Sequence, residues 1–420
     1  MIDMFKFAHL SDLHLGAFRD PELQRLESEA FHTAMDKCVE EKVDFIVIGG
    51  DIFHSNLPDM GVVNEAAKKF RQLQERGIRI YVIYGSHDYS PNETSIVDVL
   101  SSAGVLEKVS NYTDVDGKLH LKFTVDPKTK AKLAGISARK QNIEKNYYQI
   151  LDRDALEKEE GFKIFVFHSQ ITELKPEDLS KMESISLSYF PKGFNYYAGG
   201  HQHRRSEYSQ PGYKNIVYPG PVFAGYSKDL EISANGEKRG LYIVTFSEDV
   251  EELKFVEVKV CEYYYLEYDA SGKNASHVEL ALMERAASAE VEKRLVLLKI
   301  RGELAGGKTS DINWSNIRRT LLEKGAIYTA INRHALSSKE YYPIKVIGED
   351  VREIESKIFE ESSGELEFTN QMLKGKTAAN LALELLKALR ESQKPNETKE
   401  DYKHRMLERS LEVLKIPGVD

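Results

Sequence analysis

The sequence predicts an α/β fold: two packed sheets flanked by helices, then a small α+β module, then a helical tail. Three observations carry this. The first ninety residues alternate short apolar runs with segments of helical period, the next stretch to about residue 262 is dense in short strand patterns, and beyond it the texture changes twice.

Taken in order, Phe5–Leu10 is a strand, and a helix follows around Glu27–Glu41. The run Phe45-Ile46-Val47-Ile48 reads as a strand buried on both faces. Val62–Arg76 is helical and closed by Gly77, and Ile78–Tyr84 is the third strand. This alternation implies parallel pairing, which places ligand-binding groups at the carboxyl ends of the strands. After a helix over Thr94–Ala103, strands at Leu119–Val125, Ala131–Ile136, Lys163–Phe167, Asn195–Tyr197, Asn215–Tyr218, Leu241–Phe246 and Lys254–Val260 are expected to form a second sheet packed on the first. The first domain is thus expected over residues 1–262.

Residues 263–345 are expected to form the α+β module. Tyr263-Tyr264-Tyr265 leads to a helix over His277–Glu292, a strand over Arg294–Arg301, a turn at Gly306-Gly307, a helix capped by Asp311 and stopped by Gly325, and a strand over Ala326–Asn332. In residues 346–420, Ala379, Leu383, Leu386 and Leu389 form one apolar stripe, and Leu407, Leu411 and Leu414 form another beyond Pro395-Asn396. Two short amphipathic helices cannot cover both stripes by themselves, so a partner groove or the protein's own body must do so.

Composition narrows the class. With 41% hydrophobic and 30% charged residues, the 420-residue chain reads as soluble and globular. A net charge of -9 excludes whole-surface attraction to nucleic acid and leaves a local basic patch or bound cations to hold a phosphate backbone. Cys38 and Cys261 are the only cysteines, which excludes a disulfide framework and indicates a reducing compartment. No signal segment or membrane-length apolar run is present, so a cytoplasmic protein without a membrane partner is expected.

The chemistry is concentrated at strand ends. Asp12 and His14 follow the first strand, and matching pieces recur at Gly49-Gly50-Asp51, Gly85-Ser86-His87-Asp88, Phe167-His168-Ser169 and Gly199-Gly200-His201-Gln202-His203. Asp12, His14, Asp51, Ser86, His168, His201 and His203 offer more donors than one ion takes once water and substrate have their share, so two ions are expected, with Asp51 bridging. Mixed nitrogen and oxygen donors without thiolate suit Mn²⁺, Fe²⁺ or Zn²⁺. Two such ions can clamp a phosphoryl group and share a hydroxide, which points to phosphoester hydrolysis. His87, beside the candidate ligands, is assigned to stabilise the transition state or protonate the leaving oxygen.

Around this set, Asp88 is read as an orienting partner, and His54 as a residue that approaches substrate or simply shapes its turn. Arg204 and Arg205 could meet phosphate oxygens, and Arg301, Arg318, Arg319 and Arg333 could form a nucleic-acid face. His9, His32, His120, His277 and His404 are read as ordinary histidines. Ser169 is not read as a nucleophile, because a neighbouring histidine in sequence does not make a triad.

The set D-x-H, G-G-D-x-F, G-x-H-D, F-H-S and G-G-H-x-H resembles the calcineurin-like metallophosphoesterases over roughly residues 5–225. With Gly-Gly-Asp51-Ile-Phe53-His54, Arg301-Gly-Glu303 and Asp311–Trp314, the chain is similar to SbcD-like double-strand-break repair nucleases of the meiotic recombination eleven type. The resemblance implies one metal on Asp12, His14, Asp51 and His203, and a second on Asp51, Ser86, His168 and His201. It also implies a manganese-dependent 3′ to 5′ exonuclease and single-strand endonuclease, a DNA-contacting capping domain, and a helical segment that grips the coiled coil of an SMC-like ABC ATPase. A homodimer associated with the nucleoid is expected from it too. Two other readings stand beside this one: a phosphodiesterase for small phosphoesters, and a feebly catalytic scaffold that tethers DNA ends.

One departure bears on the chemistry. The family's third motif usually carries asparagine where this chain has Ser86. The serine oxygen stands closer to the backbone, so a weaker second metal site is expected, and Ser86→Asn should lower the manganese concentration needed for activity.

Overall fold

The computed structural model describes residues 3–89, 94–139, 143–175, 183–338, 355–356, 359, 375–394 and 397–414. The chain divides into two compact units, Met1–Ser337 and Ser338–Asp420.

Strands β1 (Phe5–Leu10), β2 (Phe45–Ile48), β3 (Arg79–Val82) and β4 (Glu107–Lys108) pair in parallel. Between them run helices α1 (Pro21–Glu40), α2 (Met60–Glu75) and α3 (Ile96–Ser102). Helix α1 begins at Pro21 because the Asp20 carboxylate accepts the N–H groups of Glu22 and Leu23 at 3.0 and 3.3 Å, a signal ahead of the apolar stripe. A hairpin, β5 (Tyr112–Val115) and β6 (Lys118–Leu121), leads to β7 (Thr124–Val125), β8 (Lys132–Ile136) and β9 (Lys163–His168). Helices α4 (Glu144–Gln149) and α5 (Arg153–Lys158) precede β9, and after it come β10 (Tyr196–Gly200), β11 (Ser206–Gln210), β12 (Tyr213–Tyr218) and helix α6 (Ser227–Ala234). The second sheet has the order β11-β12-β10-β9-β8-β7.

Strands β13 (Gly240–Phe246) and β14 (Val250–Glu257) correct the expectation that they belong to this second sheet. They return to the first sheet, whose order is β14-β13-β1-β2-β3-β4. There β13 pairs antiparallel with β1, Phe7 opposite Val244. Strand patterning records which residues are buried, and it is silent on which sheet edge receives them.

The core has two layers whose division follows the period-two alternation of each strand. Phe45 and Val47 face the second sheet and pack with Phe7, Tyr81, Leu133, Ile164 and Tyr196. Ile46 and Ile48 face the helices and pack with Leu26, Phe31 and Phe70. Both faces of β2 are therefore dry, as its unbroken apolar run requires.

A third sheet joins β15 (Glu262–Asp269), β16 (Arg294–Leu304) and β17 (Tyr328–Ser338), with α7 (Ala275–Ser288) crossing between the parallel β15 and β16. Tyr263-Tyr264-Tyr265 lies inside β15, not in an approach to the helix. Leu295 and Leu297 turn toward the main body, while Val296, Leu298 and Ile300 pack on Val278, Leu282, Ile317 and Leu321. Helix α8 (Trp314–Glu323) is capped by Asn313, whose side chain accepts the N–H of Asn316 at 3.0 Å. Asp311 instead accepts from Lys308 N–H at 2.7 Å and closes the preceding turn, correcting its assignment as the cap.

In the second unit the helices Gly375–Leu389 and Lys399–Leu414 pack together. Arg405 reaches Glu391 at 3.1 Å and Glu397 at 2.6 Å. Pro395-Asn396 and the expected boundary at 345–346 lie outside the described residues. Cys38 and Cys261 are both buried thiols. Among the described residues no helix is long and apolar enough to cross a membrane.

Candidate metal centre

Pairing between β1 and β2 continues past the sheet. The N–H groups of Asp12, His14 and Leu15 donate to the carbonyls of Gly50, Asp51 and Ile52 at 3.0, 3.0 and 2.9 Å. Two loops are thereby fastened edge to edge, and their polar side chains enter one pocket. Asp12, His14, Asp51 and His201 all hold left-handed backbone, with φ of 54°, 46°, 53° and 85°. Such strain in non-glycine residues persists where the surroundings over-determine the conformation, a habit of functional sites.

Asp51 sits at the centre of this arrangement. Its Oδ1 accepts the His87 N–H at 2.7 Å, and Ser86 Oγ donates to its Oδ2 at 3.4 Å. A Cβ on Gly85 would stand 2.0 Å from Asp51 Oδ1, so only glycine lets the loop after β3 close on this carboxylate. Asp88 braces the same loops by accepting from Gly85 N–H at 3.0 Å, Ile52 N–H at 3.3 Å and Phe53 N–H at 3.2 Å.

The second sheet supplies imidazoles. His168, the last residue of β9, donates its Nδ1–H to the Gly49 carbonyl at 2.8 Å. A carbonyl only accepts, so Nδ1 carries a proton and Nε2 points inward. That buried Nε2 lies 3.2 Å from Asp51 Oδ2 and has no hydrogen-bond partner. His203 donates Nδ1–H to Asp229 at 2.8 Å, and its Nε2 stands 3.1 Å from His14 Nε2. The His201 N–H donates to both oxygens of Asp12 at 3.0 and 3.1 Å, and its ring packs 5.2 Å from that of His168.

Two donor groups result, each with atoms within 4.8 Å of one another: Asp12, His14 and His203, and Asp12, Asp51 and His168. The buried Nε2 of His168 beside Asp51 and the Nε2 atoms of His14 and His203 converging at 3.1 Å fit a pair of divalent cations, since imidazole nitrogens and carboxylates aimed into one pocket can share a positive centre. The residues present are thus a candidate dinuclear site.

Electrostatics follow from burial and from pairing. Burial works to raise Asp51, yet His168 and His14 hold it well below the usual carboxylate range. Burial also opposes charge on His168, but Asp51 beside it wins and pushes the imidazole up to about 10. For His201 burial dominates, the charge on His168 adds to it and outweighs the pull of Asp51, and the ring is driven down to about 3. Burial raises Asp12, and burial lowers His14 well below its ordinary value. For His203, burial is outweighed by the hydrogen bond to Asp229, and the ring is raised.

His87 stands at the mouth. Its Nδ1–H donates to the His54 carbonyl at 2.7 Å, and its Nε2 accepts from the Tyr226 hydroxyl at 2.8 Å. His54 stacks on His87 with centroids 5.1 Å apart and reaches His14 at 3.4 Å between their Nδ1 atoms. Arg204 lines the pocket, which encloses about 260 Å³. Arg205 faces elsewhere, with its guanidinium 4.1 Å from the Phe255 ring centre. A cleft of about 940 Å³ shares the Arg204 and Lys228 wall and continues to Lys299 and Arg318. Arg301, Arg319 and Arg333 are engaged outside it, by Glu267, Glu323 and the Trp314 ring.

Tyr226 and Asp229 were absent from the sequence-based set. Asp229 also accepts the N–H groups of Gly225 and Tyr226, both at 2.9 Å, and so opens helix α6 (Ser227–Ala234) directly under His203. An acidic residue at the third helical position is a start signal, but the cap here is tyrosine, which hides it.

A sandwich whose strand ends gather carboxylates and imidazoles in one pocket defines a metal-dependent phosphoesterase. Residues 5–205 match the calcineurin-like phosphoesterase family, and the chain carries that domain. It is similar to the DNA double-strand break repair protein Mre11 of Archaeoglobus fulgidus, 26% identical with 86% of this chain and 82% of that protein covered. The proteins of the same name in Methanococcus maripaludis and Sulfurisphaera tokodaii are 30% and 28% identical. Those alignments cover 48% and 61% of this chain, and 52% and 63% of the relatives' lengths.

Proposed function

We propose that the chain is a two-metal DNA nuclease that processes ends in double-strand-break repair, with 3′ to 5′ exonuclease and single-strand endonuclease activity. The observation that carries this reading is the convergence of Asp12, His14, Asp51, His168 and His203 into two donor groups beside a roomy, partly basic cleft. A cleft of about 940 Å³ adjoining the metal pocket suits a polymer better than a small ester, and the relatives named for double-strand-break repair support the substrate.

In this reading Asp12, His14, Asp51 and His203 hold one cation, and Asp51, Ser86, His168 and His201 hold the other, with manganese expected and iron or zinc compatible with the same donors. When bound, such a pair supplies a hydroxide near neutral pH and charge for the phosphoryl oxygens. The chain does the rest. Asp229 and the Gly49 carbonyl orient His203 and His168 so that each presents Nε2. His54 fixes the His87 ring through its carbonyl, so that Nε2, after taking up a proton from solvent and parting from the Tyr226 hydroxyl, can pass that proton to the leaving oxygen. Arg204 and Arg318 line the path a phosphate backbone would take.

Beyond the pocket, residues 263–345 act as the DNA-contacting cap in this proposal, and the helices Gly375–Leu389 and Lys399–Leu414 take the coiled coil of an SMC-like ABC ATPase. The working unit is a homodimer. Purified protein with Mn²⁺ is offered linear DNA and a chromogenic phosphodiester, alongside His87→Asn. DNA degradation by the wild type alone is expected. Diester cleavage without DNA cleavage would favour a small-molecule phosphodiesterase, and DNA binding with neither activity would favour a tethering scaffold.

A further inference from the structure

A second cavity, of about 380 Å³, opens at the same carboxyl end of the sheets as the metal pocket, between the ends of β3 and β8. The two strand ends are fastened there by the Ala138 N–H, which donates to the Tyr84 carbonyl at 3.0 Å. Tyr84, Tyr89, Tyr112 and Tyr147 line the space together with Lys108 and Arg139. The Arg139 guanidinium lies 4.7 Å from the Tyr147 ring centre and 5.9 Å from that of Tyr89, and donates to the Tyr112 hydroxyl at 3.2 Å. The rings of Tyr112 and Tyr147 stand 5.6 Å apart at 60°. At the far wall Lys108 Nζ contacts the Tyr84 hydroxyl at 3.0 Å and Asp98 at 2.5 Å.

Aromatic faces around a space of ligand size, interleaved with a guanidinium and an ammonium, suit a flat ring joined to an anion. Tyr112 is 41% exposed, so at least one ring meets solvent and not core. The position is equally telling. Tyr84 directly precedes Gly85 and Ser86, and two trans peptide steps separate the Cα atoms of Tyr84 and Ser86 by at most about 7.6 Å. On the other side of the cavity the Glu144 carboxylate accepts the Arg139 N–H at 2.9 Å and holds that segment in place. The cavity therefore adjoins the metal pocket.

We propose that this cavity is a nucleobase subsite. A base of a single DNA strand, unstacked from its neighbours, lies against the tyrosine rings with Arg139 toward its phosphate while an adjoining phosphodiester occupies the metal pocket. The inference rests on the nuclease reading above. A base still paired in a duplex cannot enter, so the subsite favours single-stranded ends and holds the strand in register for cleavage.

The test walks one abasic nucleotide along a short single-stranded oligonucleotide. Cleavage is followed with the wild type, with Tyr112→Leu/Tyr147→Leu and with Arg139→Gln, and a chromogenic diester reports the integrity of each protein. For the wild type, KM should rise by about five- to 150-fold when the gap falls at one position beside the cut, the range that stacking of one base is worth. The double variant should show that rise with intact DNA and no further rise with the gap, at unchanged diester turnover. Equal KM at every position, or a double variant that keeps the sensitivity, overturns the subsite. If the wild type cleaves the diester and no DNA, the nuclease reading falls, and the same abasic series read by equilibrium binding still decides the subsite.

Discussion

β2 and β10, each central in its own sheet, both run into a glycine pair and then a polar residue: Gly49-Gly50-Asp51 in one, Gly199-Gly200-His201 in the other. Both polar residues are left-handed. The glycines lie back to back, so that a Cβ on Gly49 would come within 3.2 Å of Gly199 and one on Gly200 within 2.1 Å of the Gly49 carbonyl. What differs is the donor and its bracing. Asp51 is approached by His87 N–H, Ser86 Oγ and His168, whereas the His201 loop leans on Asp12 through its own N–H. The first sheet supplies the carboxylates Asp12 and Asp51 with one imidazole, His14, and the second supplies imidazoles only, so both donor groups are completed across the two sheets.

This asymmetry sets the expected order of damage. Asp51→Asn removes the charge that stands 3.2 Å from His168 and 3.7 Å from His14 and that the proposal sets between the two cations, and should cost on the order of 10³-fold or more in turnover, comparable to the loss of a central electrostatic group. His201→Ala should cost on the order of tenfold less, measured as diester hydrolysis across a manganese titration. Equal losses would mean that the bracing has no functional consequence. The glycine pairs offer a stability version. Gly200→Ala forces a Cβ against the Gly49 carbonyl and His168 Nδ1, and should destabilise by about 1–3 kcal/mol in chemical denaturation. Gly49→Ala, with 3.2 Å of clearance, should cost less.

The legible and illegible parts of this molecule separate along physical lines. Asp12, His14, Asp51, Ser86, His87, His168, His201 and His203 meet in space because each follows a strand pattern, and parallel topology sends every such end to one side. Asp229 and Tyr226 reach the same pocket from a helix start in a region with no such pattern. Arg204 and Arg205 are neighbours in sequence just before β11, where alternation sends successive side chains to opposite faces, and only Arg204 lines the pocket. Asp311 and Asn313 are both good capping residues two positions apart, a choice that tertiary packing makes. The triple tyrosine of β15 carries no period from which to read its strand.

Asp229 also offers a way to sharpen the contrast between the two sheets, because it gives His203 the bracing that His201 lacks. Asp229→Asn keeps the size of the side chain but removes the charge that orients His203. Metal affinity should fall by about 10- to 100-fold, measured by titration calorimetry, with the loss confined to one of two binding steps. An equal effect on both steps would break the assignment of His203 to one ion.

The smallest expected effect concerns the first sheet's own bracing, through Glu27. This buried carboxylate accepts the N–H groups of Gly16 and Ala17, at 2.6 and 3.0 Å, just beyond His14. Burial outweighs those two hydrogen bonds, with Glu65 adding to it, and lifts the group from 4.5 to about 7. Since the folded value lies above the unfolded one, the folded chain holds more protons between these limits. Stability from this group is therefore complete below the unfolded value and is lost as pH rises toward 7. Between pH 6 and 7 the loss amounts to roughly 1 kcal/mol. Glu27→Gln removes the titration, so urea denaturation at the two pH values should show a shallower fall than in the wild type. Identical slopes would mean that Glu27 is already ionised in the folded protein, and that the loop after His14 is held by a charge and not by a neutral acid.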